Sequence, residues 1–245
     1  MIKEWYKDWF SSDYYLEVYK HRNFEDTENL VELILSNTDI KPDAKILDAA
    51  CGAGRYSIKF AERGFDVTGF DLSKSMLEIA ENEASIRNLK IDFQHYDLRH
   101  FKSEKKFNLV LSLFTSFGYF ESDDENFLFP QNAYNYLKEK GYYILDYLNK
   151  GYLETNLVEN SEKFVEDNKI TETRFIKNNR IQKKIIISNG EENKEYLESV
   201  KLYSYEEIVK NFENIGFNVK KVFGNYLGEN YNKQTSERCI IIFQK

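Results

Sequence analysis

The segment Lys45-Ile46-Leu47-Asp48-Ala49-Ala50-Cys51-Gly52-Ala53-Gly54-Arg55, followed by Gly69-Phe70-Asp71, constrains the fold more than any other part of the chain. Ile46 and Leu47 suit a strand covered on both faces, and Gly52 and Gly54 permit a sharp turn with close backbone approach to a ligand. Asp71 lies 23 residues beyond Asp48 and ends the run Val67-Thr68-Gly69-Phe70. A carboxylate at that strand end can accept both hydroxyl protons of a ribose. Buried strand, glycine turn, helix and acid-tipped second strand together predict a site for an adenosine-containing ligand.

The spacing alone also fits a nicotinamide cofactor. Two residues argue against it: Ser57 stands where a dinucleotide fingerprint has its third glycine, and Asp48 precedes the turn, where it would meet a pyrophosphate unfavourably. A carboxylate there better suits a cationic ligand end.

These residues resemble the class I S-adenosylmethionine-dependent methyltransferases. Residues 48–54 look like the D-x-x-C-G-x-G form of that family's first cofactor motif. Asp71 resembles its ribose acid, and Asp97 in His95-Tyr96-Asp97-Leu98 resembles the acid beside the adenine amine. The likeness continues through Phe107-Asn108-Leu109-Val110, Phe114-Thr115-Ser116-Phe117-Gly118-Tyr119 and 142–148, and upstream to Tyr14, Tyr15, Tyr19, His21 and Arg22. It covers nearly the whole chain and is weakest after Asn149.

The resemblance implies an α/β fold: a Rossmann-like seven-stranded sheet in the order 3-2-1-4-5-7-6, one strand antiparallel, with helices on both faces. It implies that S-adenosyl-L-methionine is held by Tyr14, Arg22, Asp48, Ala50, Gly52, Gly54, Asp71, Leu72, Asp97, Leu98 and Phe114, and leaves as S-adenosyl-L-homocysteine. In that comparison Tyr14 or Tyr15 lies near the methionine portion and Arg22 meets its carboxylate.

Length and composition set the container. A chain of 245 residues, 42% hydrophobic and 16% aromatic, supplies one α/β domain over 1–245 with a sizeable core, and 31% charged residues can cover it. A net charge of -7 gives no positive footprint for nucleic acid. Two cysteines, Cys51 and Cys239, build neither a disulfide framework nor a four-cysteine zinc site. No signal peptide or long apolar span is visible, which favours the cytoplasm and argues against a membrane partner. Nothing selects between a monomer and a homodimer.

Residues 1–40 form an aromatic cap and helix in this reading, with a helix over 26–35. Strand and helix signals then alternate: helix 55–62, strand 65–71, helix 73–87, strand 91–94, strand 107–113, helix 126–140 and strand 142–148. Pro130 kinks the fourth of these helices or marks its first turn, and Gly141 stops it. After Gly151 the period changes. Three strands over 164–174, 181–188 and 196–202, with turns at Asn178-Asn179 and Asn189-Gly190, predict an antiparallel insert spanning 152–203 that covers the carboxyl edge of the sheet or extends it. Ser204 and Glu207 form a capping box, Gly216 closes that helix, and a final hairpin over 217–223 and 238–243 completes the sheet.

Methyl transfer needs positioning and exclusion of water more than a dedicated base. If the small-molecule acceptor is a hydroxyl or a protonated amine, His95, His100, Asp146 and Tyr147 are the polar candidates at predicted strand ends. Leu113-Phe114-Thr115-Ser116 does not resemble the Asn- or Asp-Pro-Pro motif of amino-base nucleic-acid methyltransferases, and no Pro-Cys pair serves cytosine C5 chemistry. Of the carboxylates that metal-dependent catechol-type enzymes place at the ends of strands four and five, only Asp146 has a counterpart, so no metal is expected. Phe114, Phe117, Tyr119, Phe120 and Tyr147 predict an apolar-walled acceptor pocket. The residues leave a nicotinamide-dependent oxidoreductase and a non-catalytic cofactor-binding regulatory or interaction module as alternatives.

Overall fold

The computed structural model describes residues 4–19, 24–190 and 192–245. Two short helices, α1 (Trp5–Phe10) and α2 (Asp13–Val18), precede α3 (Phe24–Ser36). An alternating stretch follows: β1 (Lys45–Ala49), α4 (Arg55–Glu62), β2 (Asp66–Asp71), α5 (Lys74–Ile86), β3 (Asp92–His95), β4 (Phe107–Ser112), α6 (Asp123–Tyr136) and β5 (Leu137–Leu148). After α7 (Lys150–Asn156) come four consecutive strands, β6 (Asn160–Val165), β7 (Asn168–Lys177), β8 (Arg180–Ser188) and β9 (Asn193–Lys201). The chain ends with α8 (Tyr205–Ile215), β10 (Asn218–Phe223) and β11 (Arg238–Gln244).

The main sheet has the order β10-β11-β5-β4-β1-β2-β3. Only β11 runs antiparallel to its neighbours, pairing with both β5 and β10. With the insert set aside this is the predicted order and strand sense. Alternate residues of the central strands serve two cores. Ile46, Leu109, Leu111, Ile144 and Ile242 face Leu30, Ile34 and Phe60 of α3 and α4. Leu47, Val110, Leu145, Ile241 and Phe243 face Phe129 of α6 and Phe212 of α8. Burial on both faces explains why these strands read as continuous apolar runs.

Local signals place the helix ends. Ser73 caps α5 by accepting a hydrogen bond from Met76 N at 3.3 Å. Ser204 and Glu207 form the reciprocal capping box at α8, and Gly216 ends it in the left-handed region. The predicted helix over 126–140 is corrected to Asp123–Tyr136: Ser122 caps it through Glu125 N at 3.2 Å, with three acids in the first turn. Pro130 therefore lies in the helix interior, and Gly141 falls within β5 rather than at a helix stop.

The insert is also larger than predicted, a four-stranded antiparallel sheet in the order β6-β7-β8-β9. Asn178 and Asn179 both take positive φ in the β7–β8 turn, as the hairpin reading requires. β6 escaped the hydrophobic pattern because its partly covered positions include Ser161 and Lys163. The insert packs on α1 and α2: Trp9 is fully buried, its ring centre 4.6 Å from that of Tyr196, above Ile170, Ile185 and Ile187.

Arg180 ties the insert to the loop after β4. It donates from Nε to Ser199 Oγ at 2.8 Å, from Nη1 to Phe120 O at 3.0 Å, and from Nη2 to Tyr119 O at 3.0 Å and Ser199 O at 2.8 Å. This buried cation is satisfied by carbonyl dipoles. Arg180→Met leaves those carbonyls unpaired and should lower the unfolding free energy by about 2 to 4 kcal/mol. Urea denaturation checks this, and an unchanged midpoint would contradict it.

Candidate functional site

A cavity of about 270 Å³ opens above the carboxyl ends of β1, β2 and β4. Its floor is the glycine turn. Ala50, Gly52 and Gly54 all have positive φ, Cys51 N donates to Phe70 O at 3.0 Å, and Gly54 N donates to Cys51 O at 3.0 Å. A side chain at Gly54 would meet Ala80 Cβ at 2.9 Å and Phe93 Cζ at 3.0 Å, so the turn that opens α4 sits tight against α5 and β3. At Gly52 a Cβ would find nothing within 4 Å, so the backbone there faces open space in the cavity.

Asp71 links the turn to β2. Its Oδ2 accepts Gly52 N at 2.8 Å and its Oδ1 accepts Ser73 N at 2.8 Å. Each oxygen keeps a further acceptor position for a ligand hydroxyl. Burial pushes its pKa up, against the pull of those backbone donors. Asp48 is 2% exposed and accepts Ser57 Oγ at 2.6 Å. Burial pushes its carboxyl up to about 7, and Ser57 opposes that shift. The residue that replaces a third glycine thus supplies the hydroxyl that holds Asp48. Burial also drives the Cys51 thiol well above its ordinary value, leaving it a small turn residue.

Of the residues named from sequence, Asp48, Ala50, Gly52, Asp71, Leu72, Asp97, Leu98 and Phe114 border this cavity. Gly54 faces helix and sheet instead, and Tyr14 lies away from it, its ring centre 6.4 Å from that of Tyr196. Tyr15 and Tyr19 border the cavity in its place. His21 and Arg22 lie outside the described residues.

None of the four candidate bases borders the cavity. His95 is exposed, with Nε2 2.8 Å from Leu72 O, and His100 is exposed as well. The buried Tyr147 hydroxyl donates to Lys201 O. Asp146, fully buried, accepts Phe114 N at 2.9 Å, Tyr226 Oη at 3.0 Å and Arg238 Nε at 2.8 Å. Phe114 and Thr115 both have positive φ, so Asp146 braces a strained turn that presents Phe114 to the cavity.

Sequence reasoning passed over Arg99. It forms a fork on Asp97, from Nε to Oδ1 at 3.0 Å and from Nη2 to Oδ2 at 2.7 Å, and holds the Asp97 carboxyl below its usual range against burial. The same guanidinium reaches Glu4 and Glu125, each at 3.1 Å. An Arg two residues after a turn-forming Asp was the available signal. On the opposite side Glu198 accepts Trp9 Nε1 at 2.6 Å, pairs with Lys183 at 2.8 Å and accepts the Tyr19 hydroxyl. Arg99 and Glu198 thus fasten the two N-terminal helices over the cavity, where Tyr6, Phe10, Tyr15 and Tyr19 form its aromatic roof.

Residues 46–141 match the model of a methyltransferase domain. The chain is 30% identical over 125 residues to a ubiquinone biosynthesis O-methyltransferase of Pelagibacter ubique, covering 50% of each chain. It is 34% identical over 107 residues to a glycine/sarcosine N-methyltransferase of Aphanothece halophytica, covering 43% of this chain and 40% of that one. These matches span about half the length of the curated relatives or less. The fold is shared more widely: a solved S-adenosylmethionine-dependent methyltransferase from Clostridium acetobutylicum superposes with a TM-score of 0.80 at 20% identity, covering 94% of this chain and 95% of that one. A glycine turn joined to an acid-tipped second strand, in a segment that matches a methyltransferase domain over 46–141, thus sits in the sheet order and fold of a solved S-adenosylmethionine-dependent methyltransferase.

Proposed function

We propose that the protein transfers the methyl group of S-adenosylmethionine to an oxygen or nitrogen of a small molecule, leaving S-adenosylhomocysteine. The observation that carries this reading is convergence: Gly52, Asp71, Asp97 and the apolar Leu72 and Leu98 meet at one cavity under an aromatic roof. The open space above Gly52 and the spare acceptor positions of Asp71 fit the cofactor. Names of curated relatives include both an O-methyltransferase and an N-methyltransferase, which supports these two acceptor atoms. A nicotinamide-dependent oxidoreductase and a non-catalytic module draw no support from the comparisons.

When bound, the cofactor supplies an electrophilic methyl carbon that the acceptor's lone pair takes as the carbon–sulfur bond breaks with its electrons left on sulfur. The chain's part is to bind, align and exclude water. Asp71 holds the ribose hydroxyls, Asp97 the adenine amine, and Leu72, Met76 and Leu98 enclose the ring. Asp48 faces the cationic end. Tyr6, Phe10, Tyr119 and Phe120 wall the acceptor, and the N-terminal helices with the insert form a lid over both ligands. None of the four candidate bases named from sequence borders the cavity, so an acceptor with a free lone pair suits it best. A screen of amines, phenols and hydroxy compounds, each with and without a carboxylate, with methyl-labelled S-adenosylmethionine tests the reading. Label transferred to one of these classes supports it, and cofactor binding with no transfer to any would favour the non-catalytic module.

Asp71→Ala should weaken S-adenosylhomocysteine binding by about 1 to 3 kcal/mol, because the ribose hydroxyls and Gly52 N lose their acceptor. Calorimetry on a variant with an unchanged circular dichroism spectrum checks this, and an unchanged dissociation constant would reject the role of Asp71.

Asp48 predicts two pH effects of opposite sign. Its pKa in the folded protein is about 7, above its ordinary value of 3.8, so its contribution to stability is complete below that ordinary value and is lost as pH rises through about 7. A cationic ligand end favours the ionised form, so cofactor binding releases a proton and tightens over the same rise. The melting temperature of the ligand-free protein should therefore fall between pH 5 and 8 while S-adenosylmethionine affinity climbs, and Asp48→Asn should flatten both profiles. Parallel profiles in protein and variant would contradict the assignment.

A further inference from the structure

Of the arginines whose surroundings are described, five are ion-paired and Arg180 is spent on carbonyls and a serine hydroxyl. Arg55 is different. It is the first residue of α4, it borders the cavity, and it makes no ion pair among the described residues. Its one hydrogen bond runs from Nη2 to Tyr56 Oη at 3.3 Å, which leaves most of a five-donor fork unused. The guanidinium carbon sits 4.7 Å from the Tyr56 ring centre and 5.2 Å from that of Phe114. Stacking on aromatic faces fixes the fork without consuming its donors.

None of the cavity's own carboxylates ion-pairs with Arg55, although Asp48 feels its charge. Asp97 is held by Arg99, Asp48 by Ser57, and Asp71 by two backbone donors. A second arginine, Arg238, lies 5.8 Å from the Phe114 ring centre, but its charge is matched by Asp146. Among the described residues, the Phe114 end of the cavity therefore presents one preorganised cation without an ion pair, its charge felt by the buried Asp48 but not met by a direct contact. Phe114 follows β4, and β4 lies on the opposite side of β1 from β2 and its ribose-side acid Asp71, so this cation faces the β4 side of the site.

We infer that the methyl acceptor carries a carboxylate and that Arg55 binds it. The assignment rests on the methyltransferase reading above and adds a substrate class: an acid whose amine or hydroxyl is methylated while its carboxylate is clamped at the start of α4. A planar two-oxygen anion matches the fork in a way that a neutral acceptor cannot. Bound here, its apolar portion meets Phe114 and Tyr56.

The test uses benzoate and its neutral isostere benzamide as probes, titrated into the full-length protein saturated with S-adenosylhomocysteine. The wild-type protein should bind benzoate about tenfold more tightly than benzamide or better, the effect of a charge-assisted fork. Arg55→Gln should remove that preference, keep the melting temperature, and hold the S-adenosylhomocysteine dissociation constant within about twofold, because a residue serving only the acceptor leaves cofactor binding alone. No benzoate preference in the wild-type protein, or a preference that survives in Arg55→Gln, overturns the inference. So does a marked loss of S-adenosylhomocysteine affinity in the variant with unchanged affinity for 5′-methylthioadenosine, which lacks the carboxylate; that outcome assigns Arg55 to the cofactor. Failure of the wild-type protein to bind S-adenosylhomocysteine overturns the underlying cofactor reading instead, and is distinguishable because it appears before any probe is added.

Discussion

The hydrogen bond from Gly52 N to Asp71, at 2.8 Å, holds together the part of the structure on which the rest depends. It joins the turn after β1 to the tip of β2, beside the backbone bond from Cys51 N to Phe70 O. Parallel strands bring their carboxyl ends to one edge, and the turn opens that edge because α4 leaves it through left-handed Gly54. The resulting carboxylate is preorganised by backbone donors rather than by a counter-ion. It remains able to meet hydroxyl protons, which a salt-bridged acid would meet less readily.

Charge around the cavity is divided by position. Asp97 is neutralised by Arg99, and that arginine also anchors Glu4 at the start of the roof. Asp48 is held by a hydroxyl and left with a raised pKa. Cofactor-side and roof-side geometry therefore share a residue, and a change at Arg99 alters both the acid proposed to face adenine and the anchoring of α1. The insert contributes through Glu198 and Arg180, one fastening the roof and the other the loop that carries Tyr119 and Phe120.

Much of this was legible in the sequence where local chemistry and long-range role coincide. The glycine turn, α4, Asp71, and the capping box of Ser204 and Glu207 each carry a short-range signal that the fold then uses. Helix α6 had such a signal in Ser122 and Glu125, but apolar periodicity beginning at Asn126 obscured it. β6 was invisible because part of its covered face is polar: Ser161 donates to Glu172 at 3.0 Å, a contact that only sheet pairing creates. Asp146 is set apart from the cavity by contacts of the same long-range kind. A strand-end acid resembles a candidate base until Arg238, 92 residues away, is seen to neutralise it and Phe114 N to occupy it. Arg55 was on view beside the turn, but its lack of a counter-ion is a property of the folded cavity alone.

The most direct test of the account is a calorimetric titration of the purified protein with S-adenosylhomocysteine, with NADH as comparison ligand. Saturable one-site binding of S-adenosylhomocysteine and none of NADH is the predicted result. Binding of NADH without S-adenosylhomocysteine would contradict it, and would mean that the turn and Asp71 serve a nicotinamide cofactor instead.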